Sequence, residues 1–393
     1  MKIDNKLVHL SNTQIDNLIE RYYNGEKVKS LIEEYNIDTN SNQLFRLFPP
    51  AITEETCPYC GCSLVITYKS KYYNNRNNHA SCPECSHIDD EYCQCNNCKE
   101  KERMKIQKRR LEKEEILYSL LHSETDNKID LDTLTFEEKI YLGAFLREGI
   151  SEDFSYIKPV DDFINPLAPT SEYSHEILNM LREKFIITLH ENSDVDCFID
   201  LNVETELLFY NPLKVKWKLN IKKEGLDMPT LIESLINPKY EVEFEEAYQI
   251  WRKISLHESI EYLHYNVFNV FKIRYKAGDK TTSTISDLLN EYSVSQIYKV
   301  IYGSTNQALR FQVEHAASKI HASNTIIGNA QKYTELAKIN NWNIQKYGRL
   351  RNLPESVLSK FFFNRILKIG DTGFNNKPIL FKDESELIEF CKK

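Results

Sequence analysis

C-P-Y-C-G-C at residues 57–62, C-P-E-C-S-H at 82–87 and C-Q-C-N-N-C at 93–98 carry eight of the chain's ten cysteines. Two residues between paired cysteines let both thiolates turn onto one tetrahedral ion. A Cys-Pro start, with Gly61 after the first pair, suits the tight turn this requires. Cys57, Cys60, Cys82 and Cys85 make one complete set of four. Cys93, Cys95 and Cys98 supply three ligands of a second. His87, close in sequence, can complete it with a neutral imidazole. Cys62 is the alternative; His87 is preferred because Cys62 directly follows the tight turn of the first pair and can point away from the ion. The expected cofactor is Zn2+ in a structural role, one or two ions per chain. A catalytic zinc keeps a water position and a general base, which closed thiolate-rich sets do not offer. The H-x-E that accompanies P-C-x-x-C in nucleobase deaminases does not precede Cys82.

The surrounding chain is that of an ordinary globular protein. Its 393 residues suggest two to four domains, with 41% hydrophobic and 27% charged residues and a formal net charge of −8. No apolar run reaches the ~18 residues of a membrane span. MKIDNKLVHLSNTQ lacks the apolar centre of a signal peptide. The expectation is a cytoplasmic protein with no membrane partner, which favours metal over disulfides for the cysteines. The acidic balance means that any contact with DNA must come from local basic patches.

Two candidate contact regions flank the cysteines, and the first departs from a basic patch, since Arg46 is the only basic residue of its last segment, 39–48. SNTQIDNLIERYY (11–23) carries a helical stripe of Ile15, Leu18, Ile19 and Tyr22, with Ser11 as N-cap and Asn24-Gly25 as stop. EKVKSLIEEY (26–35) restarts the helix, and TNSNQLFRLF (39–48) is expected as a third before Pro49-Pro50. This pattern resembles the helix-turn-helix of DNA invertases and resolvases. The resemblance implies that Thr39, Asn40, Asn42, Gln43 and Arg46 lie on the exposed face of a recognition helix, where Asn, Gln and Arg read base edges. The alternative is a three-helix cap that packs on the metal module. Between the cysteine pairs, SLVITYKSKYYNNRNNHAS (63–81) alternates as a hairpin would, with an Asn-rich turn at 74–78, and the whole of 51–98 resembles a zinc ribbon. KEKERMKIQKRRLEKEEILYSLLH (99–122) is a charged helix, basic first. Lys105, Arg109 and Arg110 are its candidate phosphate contacts; the alternative is a solvated linker with helical Glu–Lys pairs.

The rest is less specific. LTFEEKIYLGAFLREG and TSEYSHEILNMLREKF read as helices capped by Thr135 and by Thr170 or Ser171, and are followed by strand-like IITLH, CFIDL and LKVKWKLNI. That order resembles a winged helix. From about residue 240 the chain reads as helices, with Ser293 or Ser295 capping one of them. Trp251, Phe268, Phe271, Phe311 and Phe361 to Phe363 are expected in the core. Glu261-x-x-His264 is half of a carboxylate di-iron pattern without the other half, and His257, His264, His315 and His321 are expected to be satisfied or on the surface. No phosphate-cradling glycine loop or nucleophile elbow is present.

The expected fold is mainly α with small β elements in several domains. These are a helix-turn-helix (1–50), a zinc ribbon (51–98), a charged helical linker (99–125), a winged-helix-like α+β domain (126–238) and a helical C-terminal domain (239–393). The leading expectation for function is a zinc-containing DNA-binding protein. It would be a regulator, or the targeting subunit of a prokaryotic mobile-element or antiviral defence assembly, with DNA and a protein partner or a second copy as partners. The rival is an interaction scaffold whose zinc module docks a partner enzyme. An enzyme with its site in the helical half is the third, and no residue can be named catalytic.

Overall fold

The computed structural model describes residues 3–72, 79–90, 92–122, 127–202, 207–239 and 241–391. It divides into two compact units, Met1–Glu112 and Lys113–Lys393. The protein is mainly helical, with two-stranded sheets.

In the first unit, helix α1 (Asn12–Tyr23) starts at a capping box in which Ser11 accepts from the Gln14 N–H and Gln14 reaches back to Ser11. Helix α2 (Val28–Glu34) follows. Their apolar stripes close over Leu7, Ile15, Leu18, Tyr22, Leu31 and Leu44, all buried. The expected third helix over 39–48 is not present. Turns lead into a single 3-10 turn, Leu44–Leu47. Asp38, Asn40, Ser41 and Asn42 are residues that compete for backbone hydrogen bonds, and Pro49-Pro50 stops any extension. Leu44 and Phe48 are pulled into the core while Asn40, Asn42, Gln43 and Arg46 stay exposed and Thr39 is half-buried. Tyr68, which follows the second strand, packs against Tyr23 and Phe48, and the Tyr23 hydroxyl donates to the Lys69 carbonyl at 2.5 Å. The two helices and the 3-10 turn therefore pack against Tyr68, beside the metal module, through Tyr23 and Phe48.

The metal module is built on strands β1 (Ala51–Thr56) and β2 (Ser63–Ile66), which pair antiparallel around the first cysteine pair. The hairpin pattern of 63–81 places the partner of β2 downstream; instead its first partner precedes Cys57. Ser81 then bridges both Val65 and Ile88. The Asn-rich turn at 74–78 lies outside the described residues. Helix α3 (Asn96–His122) begins inside the last cysteine cluster, and the boundary between the units falls within it.

In the second unit, β3 (Ile129–Asp130) precedes α4 (Phe136–Gly149), which is capped by Thr135 in a box with Glu138. α5 (Ser171–Glu183) is capped by Thr170. Next come β4 (Ile187–Leu189), β5 (Phe198–Asn202), β6 (Leu207–Tyr210), β7 (Trp217–Leu219), β8 (Ile221–Lys222) and α6 (Met228–Ile236). β4 pairs antiparallel with β7, β5 with β6, and β3 runs parallel to β8. This keeps the helix–helix–strand order on which the winged-helix resemblance rests. The core around α4 also draws in Trp251 and Ile254 of α7 (Phe244–Phe271) and returns to Phe361, Phe362 and Phe363. The boundary expected at 238/239 thus runs through one hydrophobic core. Gly143 allows this closeness, because a Cβ there would meet the Leu235 carbonyl at 2.6 Å and the Phe361 ring at 2.7 Å.

A second core joins the end of α7 to α8 (Asp279–Leu288), α9 (Val294–Glu314), α10 (Lys319–Asn324) and α11 (Ile326–Ile339). Ser293 caps α9 in a box with Gln296. Phe271 is buried as expected, but Phe268 is exposed, on the solvent side of the last turn of α7 beneath the Lys272 ammonium.

Glu258 lies on α7 between these two cores. Its carboxylate accepts from Arg349 Nη1 at 2.8 Å and from the Ser359 hydroxyl at 2.9 Å. Arg349 also reaches Glu355 and lies over the Phe374 ring. This cluster ties the irregular segment after α11 to α7. Glu261, one turn on, is pushed up to about 8 by burial and then by the Glu258 charge. The folded chain thus holds a proton that an unfolded glutamate releases near its ordinary value of 4.5. Stability must fall as pH rises through this window, since the unfolded state binds fewer protons. Glu261→Gln should flatten that fall. Thermal melts of both proteins at pH 5.5 and 8.5 test it (roughly the edges of the window), and an equal drop in both would refute the assignment.

Candidate metal centres

The first set is held by turns that the Cys-Pro-x-Cys sequence makes easy. The Gly61 N–H donates to the Cys57 carbonyl at 2.9 Å, with Gly61 at φ +69°, a conformation that costs glycine nothing. At the second pair the same turn recurs with Ser86, at φ +58°, donating to the Cys82 carbonyl at 3.0 Å. The turns aim four sulfurs inward. The ligand atoms of Cys57, Cys60, Cys82 and Cys85 all lie within 4.8 Å of one another. Cys57 and Cys85 Sγ are 3.6 Å apart and Cys60 and Cys82 Sγ 3.9 Å. A tetrahedron with ~2.3 Å metal–sulfur bonds has edges of about 3.8 Å. All ten cysteines are free thiols, so these short approaches are not disulfides.

His87, Cys93, Cys95 and Cys98 form the second set, again with every ligand atom within 4.8 Å of the others. His87 Nδ1 is 3.3 Å from Cys93 Sγ, 3.8 Å from Cys95 Sγ and 3.3 Å from Cys98 Sγ. An imidazole nitrogen at ~2.05 Å and a thiolate at ~2.3 Å from one ion are about 3.6 Å apart. The alternatives left open in the sequence thus part by geometry. His87 belongs to the second set, and Cys62 belongs to neither, its Sγ resting 3.2 Å from Cys82 Sγ. His87 and Cys62 occupy the same position after their respective turns. The His87 carbonyl accepts from the Cys82 N–H, and the Cys62 carbonyl from the Cys57 N–H.

Backbone amides prepare the thiolates. The Cys85 N–H points at Cys82 Sγ at 3.4 Å, and this first of all draws the Cys82 thiol down to about 6. Burial pushes Cys93 up, but N–H groups, first that of Ile88 at 3.2 Å, outweigh it and bring the thiol to about 6. Cys60 is pushed up, first by the hydrogen bond it shares with Cys85. A cation among these sulfurs would reverse that rise. Both sets are closed four-ligand cages of sulfur and nitrogen, the donor chemistry of a structural zinc. Among the described residues these are the two groupings of His, Cys, Asp and Glu able to hold a metal ion.

The second cage also sets where α3 begins. The Cys98 N–H points at Cys95 Sγ at 3.4 Å, and the Lys99 N–H donates to the Cys95 carbonyl. Cys98 thus stands in the first turn of the helix, and all residues from Lys99 to Arg110 are exposed. Seven of those twelve are Lys or Arg and two are Glu. Lys105, Arg109 and Arg110 lie within this stretch. Glu100 pairs with Arg103, and Lys108 with Glu112. Sequence reasoning found the basic run but missed that a metal ligand anchors it. The spacing of Cys98, Lys101, Lys105 and Arg109, at intervals of three and four, carried that signal.

Among the described residues the other histidines join no grouping able to hold a metal ion. His257 Nδ1 shares a 2.7 Å hydrogen bond with the Thr170 hydroxyl and stacks on Tyr173, and burial draws it down to about 4. His315 and His321 are exposed. His264 departs from expectation, because its Nε2 is buried without a hydrogen-bond partner.

Elemental analysis of the purified chain should return two divalent metal ions. His87→Ala should lose about one of them, while Cys62→Ala keeps both. The reverse pattern would exchange the two residues. Cys60→Ser should unfold the first cage, since metal binding and local folding are one equilibrium; a variant with full metal content and an unchanged melting curve would remove Cys60 from the ligands. No protein-family model, curated protein or solved structure matches this chain.

Proposed function

We propose that the chain is a zinc-containing nucleic-acid-binding protein in which two structural zinc ions shape the first unit and α3 makes the phosphate contacts. The single observation behind this reading is the junction of cage and helix. Cys98 ligates from the first turn of α3, and the next three turns carry seven exposed cations against two carboxylates. A metal-anchored helix offers its cations as a preorganised row, which loses little entropy on meeting a phosphate backbone. The acidic remainder of the chain confines binding to that row. Lys105, Arg109 and Arg110 are its centre. Thr39, Asn40, Asn42, Gln43 and Arg46 would then be a second contact surface, made by turns rather than by a recognition helix. A role in a mobile-element or antiviral defence assembly belongs to the same reading and would follow from what the protein binds in its host.

One observation favours the scaffold reading. Met104 and Leu111 are 63% and 58% exposed and lie seven residues apart on α3, one apolar edge that a partner helix, or a second copy, could cover.

Binding of the full chain to random-sequence oligonucleotides at low and moderate salt tests the nucleic-acid reading. Replacing Lys105, Arg109 and Arg110 with alanine should weaken binding to every sequence. It should also reduce the slope of log K against log salt by about 0.7–0.9 for each phosphate that is no longer neutralised. A wild-type chain that binds nothing at micromolar concentration would end this reading and leave the scaffold.

A further inference from the structure

We propose that the groove beside the second metal cage is a site for single-stranded nucleic acid, holding an unpaired base against Tyr59 and Ile106 with neighbouring phosphates on Lys99, Lys101 and Lys105. The inference rests on the nucleic-acid reading above and narrows its ligand. The groove has a volume of about 740 Å3. One wall is the first cysteine turn, at Pro58 and Tyr59; the other is the opening of α3, from Cys98 to Ile106.

Its chemistry is mixed in the way a single strand requires. Tyr59 and Ile106 are 37% and 59% exposed, large apolar groups left open beside cations. The Tyr59 ring is braced edge-on against His87, and its hydroxyl lies 3.3 Å from Cys98 Sγ. The ring is therefore braced by two residues of the second ligand set. Lys99, Lys101 and Lys105 line the groove, and among the described residues none of the three has a carboxylate partner. Two carboxylates also face it: Asp90, engaged by His79 at 3.2 Å, and Glu102. They leave the groove net positive once Arg103 is counted with the three lysines.

A duplex hides the faces of its bases in the stack and offers only their edges. Reading those edges takes a helix or a β-ribbon that enters the major groove, and the helix expected to do so is a single 3-10 turn. An unpaired strand exposes base faces to an aromatic ring, with phosphates following along a basic track. The lysines would serve either ligand, but an open aromatic and an aliphatic side chain beside them find a base face only in the second.

The test uses the full chain with a fluorescent oligothymidylate, the same strand annealed to its complement, and Tyr59→Phe, Tyr59→Ala and Ile106→Ala. Metal content is measured on each variant. The single strand should bind more tightly than the duplex. Tyr59→Ala should weaken it on the order of tenfold at unchanged metal content, Ile106→Ala less, and Tyr59→Phe hardly at all. If Tyr59→Ala sheds metal, Ile106→Ala and photocrosslinking of a bromouracil strand to wild type decide instead, and the crosslink must fall on the peptide containing Tyr59 or Ile106. A duplex bound as tightly as the single strand, full affinity in Tyr59→Ala with its metal intact, or a crosslink elsewhere would overturn this site and leave the broader reading standing. Failure of both single strand and duplex to bind would overturn the broader reading itself.

Discussion

The first unit depends on gathering thiolates that stay ionised together only around a cation. Two thiolates about 4 Å apart repel by roughly 4 kcal/mol at an effective dielectric of 20. Four ionised thiolates held within 4.8 Å of one another make six such pairs. The backbone nevertheless brings them together, with N–H groups aimed at Cys82 and Cys93 sulfurs that favour the thiolate. A divalent ion among them would turn that repulsion into the bond that holds the module. Little else could, because the apolar core of the module is confined to Leu64, Ala80 and a few cysteines. Below about 40 residues a domain usually needs such a staple.

The staple has consequences on both sides. Upstream, β1 and β2 are drawn together around the first cage, and Tyr68 then receives the two helices of the cap through Tyr23 and Phe48. Downstream, the second cage fixes the first turn of α3, whose residues 99–115 are all exposed and bury nothing. The same ring that braces His87 lines the neighbouring groove. Metal, cap, helix and groove are therefore one mechanical system, and loss of the second ion should loosen the groove before it disturbs the cap.

The second unit is organised differently. Its cores are apolar and large, and polar groups enter them where irregular chain must be held. Glu258, Arg349 and Ser359 form such a clamp, with neighbouring Glu261 kept protonated at neutral pH. Glu258 is engaged on both counts, by Arg349 and by Ser359, which is how a structural ion pair satisfies a buried charge.

What could be read from residues alone was local. The Cys-x-x-Cys turns, the Ser11, Thr135 and Ser293 caps, the run of cations after Cys98 and the apolar stripes of α1 and α2 all follow from spacing over a few residues, where geometry leaves little choice. What needed the tertiary structure was every decision between equal local options. His87 and Cys62 follow identical turns, and only the path of the chain to Cys93 sends one into a cage and leaves the other beside Cys82. Residues 39–48 carry a helical stripe, yet burial of Leu44 and Phe48 beside two prolines leaves one 3-10 turn. The strand partner of β2 and the shared core across residue 238 were equally out of reach. Pairing and packing join residues far apart in sequence, and spacing along the chain does not encode which of them will meet.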